Sequence, residues 1–296
     1  MSKAVDVLCV GHASCDLVFS VPYQPGPDQK IVADGLLTCG GGPAANAAVT
    51  VARLGFSAAF AGYLGNDMPG NMHAAELAAE GVDTTLVVRG GAPSPLSVIL
   101  VKPDGSRSLV NYKGETGPLD ASSIDFSPLS PSVILLDGHE PVVSAGLIGR
   151  GIPTVLDAGS VHPGTLALMD KVDYLACSEK FATQWWGADA PELALKALAE
   201  WAPAVIITLG ERGLIWHKQG ESGRLSAFAV DVVDTTGAGD AFHGAFAAGV
   251  AAGLGWHELL CYASGAGALC CNVMGARPGL PTAEGVAQLL AGSRSS

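Results

Sequence analysis

The sequence predicts an α/β fold, a largely parallel sheet covered on both faces by helices and carrying a small β lid. Short apolar runs alternate with alanine-rich stretches along the chain, as happens when parallel strands are joined by crossover helices. Two segments break that rhythm with short strands and turn signals. The 296 residues are 49% hydrophobic and 15% charged, with 39 glycines, a composition that buries a core rather than staying disordered.

In chain order, strand-like runs fall at 5–10, 58–61, 133–136, 154–156, 174–176 and 205–208. Each is short, apolar and followed by a turn or a helical stretch. Residues 16–38 and 96–112 read as the lid, with Asp104-Gly105 placed for a hairpin turn. The apolar stretch 241–255, interrupted by His243, is too short for a bilayer span and reads as a buried helix. No repeat, low-complexity tract or linker divides the chain. Residues 1–296 are therefore expected to form one domain with lid segments at 16–38 and 96–112.

The net charge of −12, from 16 basic and 28 acidic residues, works against nucleic acid or an anionic membrane as partner and favours a small molecule. Seven cysteines, Cys9, Cys15, Cys39, Cys177, Cys261, Cys270 and Cys271, are odd in number and form no CxxC pair. Reduced core thiols and a cytoplasmic location follow as the expectation. The N-terminus carries Asp6 inside what would have to be a signal core, so no export signal is read there.

The segment most informative about chemistry runs from Asp234 through Thr235, Thr236, Gly237, Ala238 and Gly239 to Asp240, and then into a helical stretch. Small residues let the amides of Gly237, Ala238 and Gly239 approach an anion, and a helix start favours negative charge. Asp240 can then take a proton from an attacking hydroxyl while those amides stabilise a transferring phosphoryl group. A capped helix start explains the same residues equally well when the segment is taken alone.

That segment resembles the C-terminal signature of the ribokinase-like (PfkB) carbohydrate kinases. Gly40-Gly41-Gly42-Pro43-Ala44-Ala45-Asn46, leading to Arg53-Leu54-Gly55, is similar to the family's N-terminal glycine-rich turn and helix, and Gly62 to Gly70 to its next segment. Gly11 to Asp16 and Thr208-Leu209-Gly210-Glu211-Arg212-Gly213 follow the same order. The resemblance spans nearly the whole chain. It implies a three-layer α/β/α sandwich with a β-sheet lid, ATP and Mg2+ as cofactors, K+ as a further candidate, and a homodimer formed through the lid.

By position, the resemblance gives Asp16, Gly41, Gly42 and Asn46 to the sugar, and Ser178, Thr208, Gly210, Gly213, Gly237 and Gly239 to the nucleotide. Asp16 and Asn46 are also plausible as turn and helix-start residues. No GxxxxGK[ST] occurs, so a P-loop is not expected. The family's Asn-x-x-Glu segment corresponds to Ser178-Glu179-Lys180-Phe181, which leaves Glu179 for water-mediated magnesium contact or as a plain helix-start acid. Asp234 and Thr236 match monovalent-cation positions, with turn capping as the alternative.

Lys30 and Asn111 look most like the sulfofructose kinase branch, whose sulfonate pocket uses Lys, Asn and Arg. His139 stands where that arginine would be, and it is a weaker, pH-dependent anion ligand. Lys30 is otherwise a solvated lid charge. His12, His162, His217, His243 and His257 show no metal-ligand spacing. The rival readings are a nucleoside kinase of the same superfamily, which needs an apolar wall for a base, and a sugar- or nucleotide-binding sensor that has lost phosphoryl transfer.

Overall fold

The computed structural model describes residues 2–114 and 116–293. The chain opens with β1 (Lys3–Val10), β2 (Ser14–Ser20), β3 (Gly35–Gly41), α1 (Pro43–Arg53), β4 (Ala58–Gly65), α2 (Met68–Ala79) and β5 (Asp83–Gly90). A hairpin of β6 (Leu96–Val101) and β7 (Arg107–Tyr112) follows. Strands and helices then alternate through β8 (Leu129–Leu136), α3 (Pro141–Ala145), β9 (Thr154–Ala158), α4 (Pro163–Leu168), β10 (Tyr174–Ser178), α5 (Glu179–Trp186), α6 (Pro191–Leu198) and β11 (Ala204–Thr208). The last elements are β12 (Leu214–Lys218), β13 (Glu221–Leu225), α7 (Ala238–Ala251), α8 (Trp256–Cys270), α9 (Ala276–Gly279) and α10 (Ala283–Ser293).

Nine strands form the main sheet in the order β13-β12-β11-β10-β9-β8-β1-β4-β5. Those from β11 to β5 pair in parallel, while β12 and β13 add antiparallel. Side chains alternate across the sheet with period two. Val7 and Cys9 of β1 therefore pack on one face with Phe60, Ala247 and Phe246, and Leu8 and Val10 on the other with Ile134, Leu156 and Phe181. Helices α1, α7, α8 and α10 cover the first face; α3, α4, α5 and α6 cover the second. Each large apolar side chain buried this way contributes roughly 1.5–3 kcal/mol. The result is the expected three-layer α/β/α sandwich.

The lid is a separate four-stranded sheet in the order β3-β2-β6-β7. Val18, Ile99 and Val101 form its own small core, with Leu37 and Met274 against them. The β6–β7 turn closes at Asp104-Gly105, with Gly105 at φ 74°. Its first segment reaches from Ser14 to Gly41, beyond the expected 16–38, and residues 21–34 within it contain no strand. The strand-like runs were read too short, and β5, β12 and β13 were not read at all. No helix among the described residues is long and apolar enough to cross a membrane.

Glycine decides one contact that positions the site. A Cβ on Gly244 of α7 would lie 2.6 Å from the Ala47 carbonyl oxygen and 2.8 Å from the Thr50 Cβ, both on α1. The two helices approach this closely because position 244 has no side chain.

Candidate active site

Parallel strands leave their carboxyl ends on one edge, where open α/β sheets place ligands. The sheet order β11-β10-β9-β8-β1 lines up the turns after those strands in space, although up to two hundred residues separate them. Asp137, just past β8, is buried and ties these turns together. Its carboxylate accepts hydrogen bonds from the His12 amide at 2.7 Å, the His139 amide at 2.8 Å and the Ala44 amide at 3.3 Å. A Cβ on Gly11 would fall 1.9 Å from it, so only glycine can end β1 there.

A cavity of about 670 Å3 lies between this edge and the lid. On one wall stands Asp16, buried in β2, accepting from the Ser14 hydroxyl at 2.8 Å. Burial raises its pKa above the usual carboxylate range. A Cβ on Gly41 would lie 2.1 Å from the Asp16 carboxylate. Gly41 thus makes room for Asp16 and is not itself part of the cavity lining, whereas Gly42, at φ 93°, is.

Opposite stands the N-terminus of α7. Gly237 turns the chain in left-handed conformation at φ 82°, and a Cβ there would strike Ala276 at 2.6 Å. Around Gly239 nothing in the protein occupies the space a Cβ would take, Gly237 lines the cavity, and the Ala238 amide donates to the Thr235 carbonyl at 3.4 Å. Asp240 follows in the first helical turn and accepts a 2.7 Å hydrogen bond from the Asn46 side-chain amide of α1. Burial, then the charges of Asp157 and Asp16, push its pKa up to about 6, against the opposing pull of Asn46 and His243. Burial and two neighbouring acids outweigh the pull of the helix dipole on this pKa, yet at about 6 the carboxylate is still ionised at neutral pH.

Below this helix His243 is buried with both ring nitrogens facing acceptors. Nδ1 lies 2.6 Å from the Gly239 carbonyl and 3.2 Å from Asp157, and Nε2 lies 3.1 Å from the Ala176 carbonyl. Burial lowers its pKa, but Asp157 and the carbonyls more than offset this, so the net shift is upward.

The far end of the cavity is lined by histidines. His139 stacks on His162 at 4.8 Å and meets His12 at 4.9 Å, and Lys113 donates to His139 Nδ1 at 3.1 Å. Burial, followed by the charges of His139 and Lys113, lowers His12 to about 3 and His162 to about 4, so both rings are neutral at physiological pH. Burial pushes Glu140 up to about 7. Asn111 and Arg107 of β7 complete this end, and Arg107 reaches the Thr235 hydroxyl.

Of the expected sugar-side residues, Asp16, Gly42, Asn46, Asn111, His139 and Asp240 line one cavity. Lys30 does not. It is exposed on the 21–34 loop and is no part of the lining, whereas Lys113 lines the cavity and contacts His139. Lys113, Arg107, Glu140, His12 and His162 were missed, although His12 and His162 sit just beyond strand ends where a ligand-facing residue belongs.

On the nucleotide side, Ser178 and Thr208 end β10 and β11, with Gly210 and Gly213 in the turn beyond, outside the cavity. Ser178 caps α5 by accepting from the Phe181 amide at 3.0 Å, and Thr208 donates to the Cys177 carbonyl at 3.4 Å. A Cβ on Gly213, at φ 86°, would meet the Leu225 carbonyl at 2.0 Å. Glu179 is paired with Arg212. Asp234 accepts from the Thr236 amide at 2.9 Å, the Thr236 hydroxyl at 2.7 Å and the Gly275 amide at 2.8 Å, so the turn-capping account describes its present bonds. No group of three or more His, Cys, Asp or Glu among the described residues is arranged to hold a metal.

The chain matches the pfkB family carbohydrate kinase description over residues 4–137 and 150–283. It is 30% identical over 310 residues to a ribokinase of Arabidopsis thaliana, covering 98% of this chain and 82% of that protein. It is 29% identical over 293 residues to Fructokinase-1 of Zea mays, covering 87% and 90%. Among solved structures, Arabidopsis thaliana ribokinase complexed with ribose and ATP superposes with a TM-score of 0.84 at 28% identity, over 97% of this chain and 99% of that chain. Ribokinase from Thermotoga maritima gives 0.86 at 26% identity, again over 97% and 99%.

Proposed function

From the premise that the chain belongs to the pfkB family of carbohydrate kinases and is an ATP-dependent carbohydrate kinase, we propose that it phosphorylates a primary hydroxyl of a small sugar, a ketose or close relative. Asp240 acts as general base. The observation that carries this reading is the position of Asp240, in the first turn of α7, bonded to Asn46 and lining one cavity with Asp16 and Gly237. Asp16 and Asn46 hold sugar hydroxyls. Asp240, with a pKa of about 6, is ionised at neutral pH and close to the range where a base transfers protons best. The amides of Gly237, Ala238 and Gly239 receive the charge that develops on the phosphoryl group.

ATP lies across the turns holding Ser178, Thr208, Gly210 and Gly213. Magnesium neutralises phosphate charge when bound. Glu179, next to Ser178 in the chain, is paired with Arg212, so phosphates and water would supply most of the ion's ligands, as magnesium commonly takes them. Asp234, buried and without an ion-pair partner among the described residues, together with Thr236 is where potassium would be accommodated. Buried thiols such as Cys9 and Cys177 fit a reducing compartment, the cytoplasm.

A second reading, a sugar bearing an acidic group, is favoured by Lys113 against His139 with Asn111 nearby, a polar end able to take a sulfonate or phosphate. A nucleoside is favoured less, since Phe19, Tyr23 and Tyr112 are absent from the cavity lining. ADP release from ATP and magnesium across fructose, ribose, tagatose, sugar phosphates, sulfofructose and nucleosides tests all three. A response to a sugar is expected. Silence with ligand-induced thermal stabilisation makes the chain a sensor instead.

A further inference from the structure

Arg277, in the short helix α9, is 2% exposed and heads the fully buried side chains by size. Its Nε donates to the Asn46 side-chain oxygen at 3.2 Å, and its Nη2 lies 3.1 Å from His73 Nε2. Its Nη1 is 3.4 Å from Glu76 Oε1 and makes no hydrogen bond. Glu76 also accepts from the Gly40 amide, at 2.7 Å, at the glycine-rich end of β3. A guanidinium taken out of water costs several kcal/mol, and an apolar side chain of similar volume would often be no worse for stability. A buried cation with one hydrogen-bonding end unsatisfied therefore calls for a reason beyond packing.

The reason lies in Asn46. Its amide has two ends of similar shape and opposite hydrogen-bonding character. With the oxygen held by Arg277, the nitrogen must face Asp240, which it meets at 2.7 Å. That donor, together with the charge of His243, lowers the pKa of Asp240 against burial and the acids Asp157 and Asp16 that raise it. The charged and titratable groups around Arg277 are Asp16 on β2, Glu76 and His73 on α2, Cys39 on β3, and Arg53 on α1 with its partner Glu80. None of them reaches the Asn46 oxygen by a hydrogen bond.

We propose that Arg277 is a positioning residue for phosphoryl transfer: through Asn46 it fixes the donor that holds Asp240, and through Glu76 and Gly40 it joins that donor to the lid strand β3. The inference rests on Asp240 being the base.

Profiles of kcat and KM against pH for Arg277→Met and Arg277→Lys, beside Asp240→Asn, test it. In both Arg277 variants the acid limb of kcat moves to higher pH. At pH 6 kcat falls by about tenfold, the scale of one hydrogen bond to a charged group, while KM for ATP holds. A native acid limb in a folded variant overturns the proposal, whereas an active Asp240→Asn overturns the base assignment underneath it. Should both variants fail to fold, the wild-type protein decides. Its Asn46 side-chain amide protons are expected to be protected from exchange and to shift as Asp240 titrates; a freely exchanging amide overturns the proposal.

Discussion

Asn46 and Asp240 stand 194 positions apart in the chain and meet at 2.7 Å across the cavity floor. The meeting depends on α1 and α7 lying nearly in backbone contact, which depends in turn on Gly244 having no side chain. Gly244→Val therefore separates the helices. It is expected to lower stability by about 1–3 kcal/mol through overpacking and to lower kcat more than it raises KM for ATP. Thermal unfolding and steady-state rates check this; native values of both would mean that the helix spacing does not set the Asn46–Asp240 pair.

Asp240→Asn separates chemistry from stability. Losing the base should lower kcat by roughly two to four orders of magnitude. The stability effect has the opposite sign. The folded-state pKa of about 6 lies above the ordinary carboxylate value of 3.8, so the wild-type protein binds the proton more tightly when folded and loses stability from this group as pH rises through 6. Asparagine removes that cost. The variant should melt higher than wild type at pH 8, with the difference shrinking as pH falls through 6. Calorimetry at several pH values checks it, and a variant melting lower at every pH would contradict the burial argument.

The same titration predicts the acid limb of the wild-type reaction. Activity requires Asp240 ionised, so kcat/KM should fall as pH drops below about 6. His12 and His162, neutral down to about 3 and 4, add no limb near neutrality. A limb placed near pH 4 would show that Asp240 is not the titrating group.

How far the sequence could be read follows the same physics. Parallel strands buried on both faces appear as continuous apolar runs, and glycines with forced backbone angles, such as Gly237 and Gly42, leave a local pattern. Such a turn marks Asp240, whereas Asp16 and Asn46 were given by the family resemblance; all three line the cavity. The histidine end was not legible, since His12, His139 and His162 become neighbours only through the order β1-β8-β9, and single-chain periodicity does not record strand order. Lys30 was chosen by resemblance to the sulfofructose kinase branch, but it is exposed on the 21–34 loop and is no part of the cavity lining. Arg277 defies the ordinary burial preference for arginine, so no pattern flagged it.

Lys113→Met tests whether the histidine end reads an anion. A charge-assisted hydrogen bond contributes about 1.5–3 kcal/mol, so apparent affinity for a sulfonated or phosphorylated sugar should fall by roughly ten- to a hundredfold. Affinity for the matching neutral sugar should change far less. Equal losses for both would assign Lys113 to lid architecture rather than to substrate charge.

The outer face of the lid argues for a second copy of the chain. Arg107, Leu109 and Asn111 of β7 face the cavity, so alternation turns Ser108, Val110 and Tyr112 away from it. Cross-strand pairing carries that face through Val110, Val98 and Leu17, and through Leu100, Phe19 and Leu36. Val110 is 69% exposed and Leu36 59%. A continuous apolar sheet face with two edge strands is costly to leave in water, and a twofold pairing of the face with itself covers it on both molecules. Sedimentation of the wild-type protein at micromolar concentration is therefore expected to give a dimer, and Val110→Glu a monomer, because the substitution places two like charges in one apolar contact. A monomeric wild type would leave this face to another partner, and a dimer untouched by Val110→Glu would place the interface elsewhere.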